Sequence, residues 1–130
     1  MSTTLYRKPF LFTGDPKRVI TRFFFPGPES RIMFIIKKVT SMPEEAAQMS
    51  LNQTLRDFSA RHRNISRVFQ KHFDRTCEIF REKTDDLHSL SYHKQLLIGA
   101  YFTSEYSIES AAFFNPSMVE DPDQTALTEG

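Results

Sequence analysis

The stretch from Ile65 to Phe80 constrains this chain more than any other part of it. Ile65, Val68, Phe69, Phe73, Thr76 and Phe80 recur at spacings of three and four, so they line one face of a helix that must be covered by something else. Aromatic side chains bury large areas, so the three phenylalanines of this stripe are natural core anchors. Asn64 stands just ahead as an N-cap, and His62-Arg63-Asn64 separates this helix from the one before it.

Other segments supply the cover. Ile32, Ile35, Ile36 and Val39 put a helical period on residues 30–40, with Lys37 and Lys38 near the C-terminal end, where the helix dipole favours cations. Ser41-Met42-Pro43-Glu44 has the form of a capping box, opening a helix that runs to about Arg61 with Leu51, Leu55 and Phe58 as its apolar stripe. Residues 84–89 read as a polar connector. Ser91 caps a helix through about Phe102, with Leu96, Leu97 and Ala100 turned inward. A further short helix is expected from Tyr106 to Phe114, started by Ser107 and stopped at Asn115-Pro116.

The N-terminal part differs. Val19, Ile20, Thr21, Phe23, Phe24 and Phe25 favour an extended chain, which Pro26-Gly27-Pro28 ends. A lone strand is not stable, so residues 18–25 pair with another segment, lie across the helices or form an extended arm. The pattern predicts a mainly α fold: four to five helices in a small bundle, with one extended segment near residues 18–25. Residues 1–17 read as an irregular N-terminal segment, 18–114 as the helical domain and 115–130 as a loop or tail.

A chain of 130 residues suffices for one domain that buries roughly two-thirds of its unfolded surface. Seventeen basic residues against 16 acidic ones argue against nucleic acid as the main partner, since phosphate binding needs a net basic footprint. Arg7, Lys8, Lys17, Arg18 and Arg22 give only a local basic bias, read as a solvated face. No apolar run approaches the roughly 20 residues that span a bilayer, so no membrane partner is expected. The N-terminus does not read as a signal peptide, and the single cysteine, Cys77, fits a reducing compartment; the expected location is the cytoplasm.

Self-contained catalytic chemistry is hard to assemble from these residues. Metal sites need several converging ligands, whereas His62, His72, His88 and His93 are scattered and read as surface histidines. Cys77, with Phe73 and Phe80 close in sequence, reads as a buried inert thiol rather than a thiolate. The acidic pairs Glu44-Glu45, Asp85-Asp86 and Glu120-Asp121 read as caps and solubilising charge. No phosphate loop and no nucleophile elbow is present. No catalytic residue, metal or cofactor is expected within the 130 residues.

Three stretches carry a family resemblance: RVITRFFFPG at 18–27, SARHRN at 59–64 and LLIGAYFTSEYSIESAAFFNPSMV at 96–119. In this order they resemble the N-terminal region of longer members of glycoside hydrolase family 130, the β-mannoside phosphorylases and related hydrolases. The resemblance implies a role as a non-catalytic domain that precedes a five-bladed β-propeller, where inverting cleavage of a β-mannosidic bond takes place. A propeller needs roughly 40 or more residues per blade, so residues 115–130 would lead to a catalytic domain absent from this chain. The implied partners are that propeller and, through oligomerisation, further copies of the chain. Asn115 corresponds to a family residue beside the sugar subsite, with Ser117 a weaker candidate. By its own chemistry Asn115, just before Pro116, reads as a helix stop. The alternative to this role is a stand-alone helical protein–protein interaction module with Phe23-Phe24-Phe25 as its exposed apolar surface.

Overall fold

A computed structural model of the chain describes Pro9, Leu11 and residues 13–107. Asn115 and Ser117, and the expected helix beyond Ser107, lie outside the described residues. The fold is mainly α, as the pattern predicts. Helices α1 (Glu29–Thr40), α2 (Glu44–Ser59), α3 (Ile65–Ile79) and α4 (Tyr92–Tyr101) are joined by a small sheet of β1 (Val19–Phe23) and β2 (Thr103–Ser107).

The sheet decides among the options for residues 18–25. Strand β1 pairs antiparallel with β2, from Val19 opposite Ser107 to Phe23 opposite Thr103. One more bond, from the Phe24 N–H to the Phe102 carbonyl at 3.0 Å, carries the pairing to the end of α4. Tyr106 and Ser107 therefore belong to a strand rather than to the start of a helix. The phenylalanine run alternates as a strand should. Phe24 is 47% exposed, whereas Phe23 and Phe25 turn onto the helices, Phe25 packing edge-on against Phe80 and Phe102. The triplet is thus a core element with one outward ring. Pro26-Gly27-Pro28 then turns the chain into α1, and Gly27 takes φ +132°, a conformation that a side chain would strain.

Each helix buries the face its period assigns. In α1 these are Ile32, Ile36 and Val39, and in α2 Ala47 and Leu51, with Leu55 and Phe58 packed at the side. In α3, Ile65, Phe69, His72, Phe73 and Thr76 are buried. Helix α4 behaves differently. Leu96, Leu97, Ile98 and Gly99 are consecutive and all buried, so the central turn of the helix is enclosed on every side, and the helix touches α1, α2 and α3. It divides the core into two apolar clusters. Leu97, Ile98 and Phe102 join Ile36, Val39 and Phe73, and Leu96 joins Leu51, Ile65 and Phe69. Leu87 is also buried, so the connector before α4 donates a core side chain.

Two expected caps are not formed. The Ser41 hydroxyl donates to the Lys37 carbonyl at 2.8 Å and closes α1, and Pro43 occupies the N-cap of α2 without a side-chain bond. The connection between the two helices is so short that α1 claims the serine. Asn64 sits in the left-handed region, φ 53°, a conformation asparagine tolerates, and its side chain caps nothing. Ser91 does cap α4, accepting the Lys94 N–H at 3.4 Å.

The tightest approach is between α3 and α4. A Cβ on Gly99 would stand 1.9 Å from the Phe69 carbonyl oxygen and 2.6 Å from its carbon, both backbone atoms that no rotamer change can move. Gly99→Ala should therefore push the two helices apart and destabilise the fold by about 3 kcal/mol or more, read as a shift in the urea midpoint.

Candidate functional site

Strand β2 leaves α4 directly, so the direction of its side chains is set by the helix it follows. Alternation puts Thr103, Glu105 and Ser107 on one face and Ser104 and Tyr106 on the other. The first face receives groups from α3 and from the connector after α2.

Glu105 is the busiest of these. Arg61 grips its carboxylate with two bonds, Nε to Oε1 at 3.0 Å and Nη2 to Oε2 at 3.1 Å. His62 reaches the same Oε1 through Nε2 at 2.5 Å. An ionised carboxylate only accepts, so His62 donates from Nε2. Burial alone would raise the Glu105 pKa; the bonds from Arg61 and His62 outweigh it and hold the carboxyl below its ordinary value. The same contact raises the Arg61 pKa. The Arg61 guanidinium also lies 5.9 Å from the centre of the Phe58 ring. Glu105 stands opposite Thr21 across the sheet. The connector after α2 is thus bonded to β2 through this carboxylate, while β1 lies alongside β2 through the backbone pairing.

Two residues along the same strand face, Thr103 receives His72. The Thr103 hydroxyl donates to the Gly99 carbonyl at 2.8 Å and stands 2.7 Å from His72 Nδ1. A hydroxyl has one proton, and here it goes to Gly99. Nδ1 must therefore be the donor toward Thr103, and neutral His72 keeps a bare lone pair on Nε2. Burial, and then the charge of Lys71, push the His72 pKa below the usual histidine range.

The chain matches no protein-family model, no curated protein and no solved structure. The geometry alone assigns its residues their parts.

The histidines are not all on the surface. His72 is 7% exposed and the side chain of His62 9%, because each satisfies a ring nitrogen on the strand face. His88 sets its ring edge-on to Phe73. His93 bonds Glu44 through Nδ1 at 3.0 Å, and Ser91 donates to the same carboxylate at 2.8 Å. Glu44 thus ties the N-termini of α2 and α4 together, where both helix dipoles favour negative charge, and its pKa is lowered. Cys77 is half-buried; burial first, then Asp74 and Asp86, push its thiol up to about 11, so it stays protonated at neutral pH. Among the described residues no three His, Cys, Asp or Glu side chains are placed to share a metal ion, and no helix is long and apolar enough to cross a membrane.

Arg61, His62 and Glu105 escape a motif search because the partners lie 43 and 44 residues apart. His72 escapes because it is a polar residue on an apolar stripe. Its position, three residues after Phe69 and four before Thr76, is the signal that places it on the buried face.

Glu105→Gln keeps the shape but removes the charge that Arg61 and His62 share. It should cost about 1 kcal/mol in urea unfolding, whereas Glu78→Gln, which breaks an exposed contact of 3.9 Å with Arg75, should stay within about 0.5 kcal/mol.

His72 gives a pH dependence of defined sign. Its folded pKa lies below its unfolded one, so the unfolded chain takes the proton first. This contribution to stability is complete well above pH about 6.5 and falls as the pH drops through that value toward the folded pKa. Melting temperatures from pH 7.5 to 5 should fall less steeply in His72→Asn, which keeps a donor for Thr103 but has no imidazole to titrate.

Proposed function

We propose that this chain is a non-catalytic helical domain of a glycosidase or β-mannoside phosphorylase of glycoside hydrolase family 130, packing on the enzyme's catalytic propeller or mediating its oligomerisation. One observation carries the reading. The three stretches that resemble the family come from distant parts of the sequence, yet their described portions are neighbours in the fold: β1 pairs with β2, and Arg61 and His62 bond Glu105 of β2. This arrangement joins a strand, a helix terminus and a connector through a bidentate arginine, so it holds its shape as one surface.

In this role the domain touches no reacting atoms itself. It presents the sheet and the segment after Ser107 toward the catalytic unit, where Asn115, and less strongly Ser117, would approach the sugar subsite. The alternative, a stand-alone interaction module, draws on the outward side chains of the sheet, where Ile20, Phe24 and Tyr106 are each more than 40% exposed.

The mass of the natural product separates the two. An antibody raised against this chain should detect a protein well above the 15.2 kDa of these 130 residues, and the captured protein should cleave β-mannosides with phosphate or water. A native product of 15.2 kDa without that activity would overturn the glycosidase reading in favour of the module.

A further inference from the structure

Between β1 and the middle of α3 lies an open cleft of about 630 Å³, within the size range of small-molecule sites. Its inner lining is the half-buried Phe23 ring and the buried His72 imidazole, with ring centres 5.5 Å apart and planes tilted by 60°. Its rim is polar, formed by Thr21, Arg22, Lys71, Asp74, Arg75 and Glu78.

His72 makes this more than a surface dip. Its Nδ1 proton is committed to Thr103, whose own proton is committed to Gly99. Nε2 is then an acceptor with no protein partner among the described residues, on a side chain more than nine-tenths buried, and it is not sealed from solvent. A buried acceptor of fixed tautomer asks for an O–H or N–H donor.

The rim charges select the class of donor. Arg22, Lys71 and Arg75 would repel a cation, while Asp74 and Glu78 would repel an anion. A neutral ligand with several hydroxyls suits both signs, because each hydroxyl both donates and accepts. The half-buried Phe23 ring offers one apolar surface against which the face of a sugar ring can rest. We propose that this cleft binds a neutral polyhydroxylated ligand, a small sugar, with one of its hydroxyls donating to His72 Nε2. The inference goes beyond the domain role above and stands without it, since the cleft is present whether or not a propeller follows.

The test is titration of the chain with D-glucose, glucose 6-phosphate and D-glucosamine, observing the His72 imidazole nitrogens by NMR. In the free protein Nε2 should resonate as an unprotonated nitrogen and Nδ1 as a protonated one. Glucose should move the Nε2 signal saturably, and more tightly than either charged analogue does. His72→Asn should weaken glucose binding about tenfold, as the loss of one hydrogen bond implies. Because the first readout uses the unaltered protein, a variant that fails to fold leaves the test intact. No saturable change at Nε2 with glucose, a preference for the phosphate or the amine, or undiminished binding by a folded His72→Asn would each overturn the proposal. None of these results depends on the mass or the β-mannoside activity of the natural product.

Discussion

The polar face of β2 is positioned by a contact between two backbones. Gly99 lets α4 press against the Phe69 carbonyl at a distance that any side chain would forbid. The cost is the poor helix propensity of glycine, up to about 1 kcal/mol relative to alanine. The return is geometric. With α4 held this close to α3, the chain leaving α4 runs directly past the α3 face. The Gly99 carbonyl takes the Thr103 hydroxyl, which fixes that hydroxyl to accept from His72. A single close approach thus sets the tautomer of a buried histidine on a different helix.

Helix α4 also explains why the bundle holds together. Ten residues are too few for a helix to be stable alone in water. Its order comes from burial of its central turn by α1 and α2 as well as α3, and from two ties at its N-terminus: the Ser91 hydroxyl and the Glu44 carboxylate. The two apolar clusters are joined through it, since neighbouring residues Leu96 and Leu97 face different ones. The outer helices need only one apolar face each, as their sequence periods show, because the central helix supplies the rest.

What the sequence discloses follows from this division of labour. The stripes of α1, α2 and α3 are legible because each faces core on one side and water on the other, which imprints a period. Helix α4 has no such contrast, so its centrality does not show in its pattern, although its existence does. The caps misled for a local reason: with so short a connection, one serine was available to two helices, and α1 took it. Residues 103–107 carry weak strand signals, and their partner lies some 80 residues away, so only the folded chain shows that Tyr106 belongs to a sheet. The cluster at Glu105 is illegible for the same cause, since ion pairs of long sequence separation leave no spacing to read. Asn115 and Ser117 rest on the resemblance alone.

The polar face of β2 also answers a problem that a two-stranded sheet poses. Strand register is weakly specified when few apolar side chains point inward, and a slip of one residue exchanges the two faces. Here the inward face offers hydroxyls and a carboxylate rather than large apolar groups. A one-residue slip of β2 would turn Ser104 and Tyr106 inward. It would withdraw Thr103 from His72 and Glu105 from Arg61 and His62, leaving one buried imidazole and one largely buried imidazole without partners. Loss of a partner at a buried polar group costs about 1–3 kcal/mol each, more than the net gain from the same bond when made. The histidines and the arginine thus act as a register lock. Their contribution to choosing this pairing over its neighbour is larger than their contribution to stability, which is why a polar network can occupy the seam where an apolar one would have packed equally well.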